Sequence, residues 1–136
     1  MSNFLAYVQE HQNRFLEELF SLIRIPSISA DSNYAADMHK AAEAVKEALV
    51  KAGCTHTELC PTKGFPIVYG EKIIDATLPT VLVYGHYDVQ PPDPLELWNN
   101  NPFDPLIKKT ALHPDGAIFA RGACDDNCLL YTSDAA

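Results

Sequence analysis

The sequence predicts an α/β fold, a mixed sheet with helices packed on it, and three observations carry that prediction. Two stretches within the first 52 residues repeat apolar side chains at helical spacing. The patterning then turns strand-like after Gly53, and "TVLVYG", Thr80 to Gly85, is an uninterrupted apolar run of the kind buried on both faces of a parallel or mixed sheet.

The first helix is predicted from Phe4 to Arg24. Leu5, Val8, Phe15, Leu19, Leu22 and Ile23 recur there at steps of three, four or seven, with Ser2 or Asn3 as the N-cap, and Pro26 ends the ladder. The second runs from about Tyr34 to Ala52, with Met38, Ala41, Ala42, Val45, Ala48 and Leu49 on one face, Ser32 as cap and Gly53 at its end. Thr55 to Leu59 alternates weakly as a strand, "PIVYGEKII" from Pro66 to Ile74 reads as a longer one, and Asp75 to Pro79 as a turn. After Gly85, Gln90 to Lys109 holds five prolines and three consecutive asparagines, which predicts a long loop of the functional kind. A short strand, Ala117 to Ala120, follows the turn "HPDG".

The chain has 136 residues, 47% of them hydrophobic, enough for one modest domain or a piece of one. With 18 acidic against 10 basic side chains and no Lys/Arg cluster, nucleic acid is not an expected partner. The N-terminus has no signal-peptide pattern and the apolar runs are too short to cross a bilayer, so no membrane partner is expected and the cytoplasm is the expected location. Cys54, Cys60, Cys124 and Cys128 have irregular spacings without CxxC, which points to reduced structural thiols. There is no G-x-G-x-x-G, Walker loop or G-x-S-x-G.

Chemistry is suggested at two places. "GHYDVQ", Gly85 to Gln90, stands just past the predicted buried strand, where ligands gather in open α/β sheets. Residues i and i+2 of extended chain project to one side, so Asp88 can orient the His86 imidazole or accept its second N–H, as a metal-binding histidine requires. A half-buried histidine hydrogen-bonded to Asp88 and to nothing else is the plainer reading. Asp125 and Asp126, after "RGA", read either as solvated charge or as a place where one carboxylate bridges two metal ions about 3.5 to 4 Å apart. His11, His39, His56 and His113 are assigned no role.

"LPTVLVYGHYDVQPPDPLELW", Leu78 to Trp98, followed by "PF" and by "ARGACDD", Ala120 to Asp126, closely resembles the M20 family of metallopeptidases. "LIRIPSIS", Leu22 to Ser29, resembles the family's N-terminal segment, and "GHYDVQP" with "DPLELW" is similar to the dipeptidase, carnosinase-like branch. The resemblance implies the N-terminal part of a zinc-peptidase-like catalytic domain, incomplete here, spanning residues 1–127. His86 would be a ligand of one zinc, Asp88 the member of the catalytic set that orients it, and Asp125 the carboxylate shared by both of two Zn2+ ions, with Asp126 behind them. A cis peptide is implied between Asp125 and Asp126. The implied reaction is hydrolysis of a peptide (dipeptide) bond by water activated between the two cations, with a glutamate as proton shuttle. The implied partner is a small peptide, in a full-length parent for which a homodimer is compatible.

That glutamate, the remaining ligands and the family's second domain cannot be matched in the ten residues after Asp126, so the 136-residue chain is expected to be inactive. The family pattern continues after "DD" with Lys and Gly, whereas "CLLYTSDAA", residues 128–136, reads as translated sequencing adapter. Two rival readings stand beside the dipeptidase: a deacylase of N-acyl amino acids from the same family, and a non-enzymatic binding domain in which "HYD" and "DD" are structural.

Overall fold

The structure, a computed structural model, describes residues 2–125. Asp126, the peptide bond that precedes it and the tail 128–136 lie outside the described residues.

Helix α1 spans Ser2–Ile23. It starts two residues earlier than the apolar pattern predicts, so that both cap candidates fall within its first turn. It ends as Pro26 requires: the Arg24 amide makes a last helical bond to the Phe20 carbonyl (3.0 Å), and the Ile25 amide tightens onto Leu22 (3.0 Å). A 3-10 turn, Ser32–Tyr34, leads into helix α2, Ala35–Lys51. The predicted cap, Ser32, falls in that turn, which Asp31 caps by accepting the Asn33 amide at 2.9 Å, and Tyr34 precedes α2 without a side-chain cap bond. At the other end Gly53, with φ 89°, closes a Schellman motif: its amide donates to Val50 and the Cys54 amide to Leu49, both at 3.0 Å.

Strands β1 (His56–Cys60) and β2 (Ile67–Glu71) form an antiparallel pair in register from His56 opposite Glu71 to Cys60 opposite Ile67. Asp75 then builds the predicted turn. Its Oδ1 accepts the Thr77 amide and hydroxyl, each at 2.8 Å, and these bonds hold its carboxyl below the usual carboxylate range, the amide contributing most. The proline-rich loop contains a 3-10 turn, Leu95–Leu97, and its end is strand β3, Leu106–Lys108, which the sequence reading had assigned to loop. Strand β3 pairs antiparallel with β4, Ala117–Phe119, with Ile107 opposite Ile118. The mixed α/β character is therefore as predicted. Among the described residues, however, the sheet consists of two antiparallel pairs and one parallel bridge, Ile28 with Val89.

The run Thr80–Gly85 departs from expectation. It carries no strand assignment, and Val81, Leu82, Val83 and Tyr84 are exposed, Leu82 to 90%. Burial on both faces requires a neighbouring strand and a covering layer, and the described residues place neither beside this segment.

The core sits on the C-terminal half of α1. Leu19, Phe20 and Ile23 pack against Ile118, Ala120 and Ala123, while Leu22 and Ile25 meet Ala41 of α2 with Val45 and Tyr87. One helix end thus holds α2 and the histidine segment on one side and β4 with the loop after it on the other. No described helix is long and apolar enough to cross a membrane.

Ile23 is 1% exposed, so Ile23→Ala should lower unfolding free energy by about 2 to 5 kcal/mol in urea titrations. The bare apolar run should drive concentration-dependent self-association in sedimentation velocity. Leu82→Lys should weaken that association, and a wild-type chain that stays monomeric at every concentration would contradict it.

Candidate functional site

The site begins where α1 stops. Around Pro26 the chain turns tightly, the Ser27 amide donating to Ile25 and the Ile28 amide to Pro26 (both 2.8 Å), and Ser27, 2% exposed, grips a segment 60 residues away: its carbonyl accepts the Val89 amide (2.9 Å) and its hydroxyl donates to the Tyr87 carbonyl (2.7 Å). Ser29, in the turn that follows, donates its hydroxyl to Oδ2 of Asp88. The phenol of Tyr87 donates to the Pro66 carbonyl at 2.6 Å; burial, and secondly the Asp88 charge, push its pKa up.

These contacts set the segment so that His86 and Asp88 face the same way. His86 Nδ1 lies 3.0 Å from the Asp88 carbonyl and 3.2 Å from Asp88 Oδ1. Two acceptors before Nδ1 favour the proton of a neutral ring at that nitrogen. Nε2 lies 3.2 Å from Oδ1 of Asp125, a residue 39 positions further along the chain. The ring and Asp88 are partly sheltered, with side chains 39% and 35% exposed, whereas Asp125 is 85% exposed.

Asp125 reaches this position through β4 and a short loop. Ala120 and Ala123 pack on the α1 core, the Arg121 amide donates to the Pro102 carbonyl (2.8 Å), and Gly122 turns the chain with φ 78°. The Arg121 guanidinium lies 5.3 Å from the centre of the Trp98 ring, and the Trp98 indole donates to the Pro92 carbonyl (2.7 Å). Arg121 Nε is buried and makes no hydrogen bond among the described residues. A hollow of about 220 Å3 opens here, lined by Gln90, Ile118, Arg121 and Asp125. The larger cleft, about 450 Å3 between α1 and α2, is lined by none of the candidate site residues.

Of the residues singled out from sequence, His86, Asp88 and Asp125 come together, and Asp126 lies outside the described residues. No group of three or more His, Cys, Asp or Glu side chains with metal-holding geometry occurs among the described residues. His11, His39, His56 and His113 sit elsewhere: His11 stacks on Tyr7, His39 meets the edge of Phe65, His56 faces Glu58, and His113 closes the β3–β4 turn. Cys54, Cys60 and Cys124 are free thiols. Sequence reasoning missed Ser27, Ser29, Arg121 and Trp98. The serines' partners lie about 60 positions away, beyond the reach of local pattern.

Residues 82–136 match the profile of peptidase family M20/M25/M40. A Cys-Gly metallodipeptidase of Candida albicans is 31% identical over 134 residues, covering 88% of this chain and 26% of that protein. A succinyl-diaminopimelate desuccinylase of Xanthomonas euvesicatoria pv. vesicatoria is 36% identical over 73 residues, 54% of this chain and 16% of the relative. Among solved structures, the dipeptidase Dug1p from Saccharomyces cerevisiae superposes with TM-score 0.86 at 25% identity over 98% of this chain and 29% of its own. The chain is similar in sequence and fold to members of this peptidase family, and it spans less than a third of the length of the relatives it matches.

At φ 78° a Cβ is strained by about 1 to 2 kcal/mol. Gly122→Ala should therefore lower the unfolding free energy from urea titration by that amount and shift the His86 ring resonances as the Asp125 loop moves.

Proposed function

We propose that this chain contributes the first part of the catalytic domain of a dizinc dipeptidase, with His86 as a ligand of one zinc, Asp125 as the carboxylate shared by both ions and Asp88 as the residue that orients the histidine. One observation carries the reading: Nε2 of His86 stands 3.2 Å from a carboxylate oxygen of Asp125, while Nδ1 of the same ring faces Asp88. A ring nitrogen and a carboxylate oxygen at that distance must share a proton or a cation. Two donors on one tetrahedral zinc, at bond lengths of about 2.0 to 2.2 Å, stand roughly 3.3 to 3.6 Å apart, so this nitrogen and this oxygen are spaced nearly as two of the ion's four donors would be.

Zinc in such a site would lower the pKa of a bound water and polarise a substrate carbonyl. The chain's own residues prepare that role. Asp88 fixes the tautomer that leaves Nε2 available, Ser27 fixes the backbone beneath it, and the α1 core holds the Asp125 loop opposite. Proton transfer and the remaining ligands would fall to parts of the relatives' length that this chain does not span. Residues 1–127 are accordingly assigned to the catalytic domain and 128–136 to a non-native tail, in a cytoplasmic parent.

A small peptide is the favoured substrate, because the dipeptidase relative aligns over 88% of the chain and the desuccinylase over 54%. In a full-length parent, dipeptides should be cleaved and N-acyl amino acids spared; the opposite preference would establish the deacylase reading.

For the 136-residue chain, calorimetric titration should show weak zinc binding that is lost in His86→Ala and in Asp125→Ala, with no dipeptide hydrolysis. Zinc binding unchanged in both variants would overturn the site assignment, and chelator-sensitive hydrolysis by the chain would overturn its predicted inactivity.

A further inference from the structure

Asp88 uses its two carboxylate oxygens differently. Oδ1 faces Nδ1 of His86 at 3.2 Å, while Oδ2 receives the hydroxyl of Ser29, 59 residues earlier in the chain. A carboxylate held by one oxygen alone can rotate about its terminal torsion, which is broad for aspartate. Held at both oxygens, its plane is fixed.

The backbone around Asp88 is already anchored on either side, at the Tyr87 carbonyl and the Val89 amide, and both anchors belong to Ser27. Ser29 acts on the side chain only. We infer that Ser29 is a positioning residue whose hydroxyl sets the plane of the Asp88 carboxylate so that, together with the Asp88 carbonyl 3.0 Å from Nδ1, it sets the tautomer and rotation of the His86 ring. The division of labour is clear in the contacts: Ser27 places the backbone that bears the histidine, and Ser29 aims the group that aims the histidine. For its consequence in metal binding the inference rests on the zinc reading above; for the state of the ring it does not.

The test is two-bond 1H–15N correlation of 15N-histidine-labelled, metal-free chain, above the usual histidine titration range, with the His86 signals assigned by their loss in His86→Gln. Wild type should show Nδ1 protonated and Nε2 unprotonated. Ser29→Ala should move the two nitrogens toward the tautomer average while the circular dichroism melt stays close to wild type, and Ser29→Thr, which keeps the donor, should restore the wild-type pattern. His86 nitrogens unmoved in Ser29→Ala would overturn the inference.

Should Ser29→Ala fail to fold, Ser29→Cys, a weak donor of similar size, takes its place against Ser29→Thr. Shifted nitrogens in the Cys variant alone would support the positioning role, and identical spectra for the two would overturn it. A parallel zinc titration should show Ser29→Ala binding about tenfold more weakly, the low end for an outer partner of a metal ligand. If zinc binds neither wild type nor Ser29→Thr, the metal reading fails, and the nitrogen shifts alone decide the role of Ser29.

Discussion

Burial of the last two turns of α1 is the constraint on which the remaining geometry depends. Leu19, Phe20 and Ile23 present one face to Ile118, Ala120 and Ala123, and Leu22 with Ile25 presents another to Ala41, Val45 and Tyr87. The two candidate site segments meet at His86 and Asp125. Their separation is therefore set by the thickness of the apolar wedge between them, and interiors packed to crystal-like density do not vary that thickness freely. The first half of α1, with Phe4, Leu5 and Tyr7 exposed, takes no part in this.

Around the wedge, polarity is arranged in a gradient. Ser27 is buried and fully engaged with backbone, Asp88 and His86 are half-sheltered, and Asp125 stands in solvent. Solvent near Asp125 keeps its charge inexpensive, while the sheltered imidazole keeps its orientation. Trp98 and Arg121 close the far side of the loop, where a flat cation lies against a flat ring and the chain gains support without adding a carboxylate to a region that already has several.

Much of this was legible in the sequence for local reasons. Pro26 ends α1, Gly53 ends α2, and the period-2 spacing of His86 and Asp88 puts both side chains on one side of the chain; each follows from backbone geometry within a few residues. What escaped was non-local. Strand β3 was hidden in a proline-rich stretch because Leu106–Lys108 becomes a strand only through its partner β4. Ser27 and Ser29 carried no signal of their own, since a serine after a proline is ordinarily a turn residue and its partner is about 60 positions away. The run Thr80–Gly85 shows the converse: its composition records an environment that these residues do not themselves provide, in keeping with a chain that spans less than a third of the relatives it matches.

The parallel bridge between Ile28 and Val89 also bears on the order in which the molecule assembles. Closing a loop of about 60 residues costs more chain entropy than closing one of about 15, by roughly 1.2 kcal/mol at 0.6 kcal/mol per doubling. Helix α2 and the β1–β2 hairpin lie wholly inside that loop and need only local contacts. Once formed they shorten the free chain that remains to be closed, so the Ser27 clamp is a late event in folding. The arrangement of His86 and Asp88 is then a product of completed tertiary structure, and it is among the first features to be lost when the protein opens.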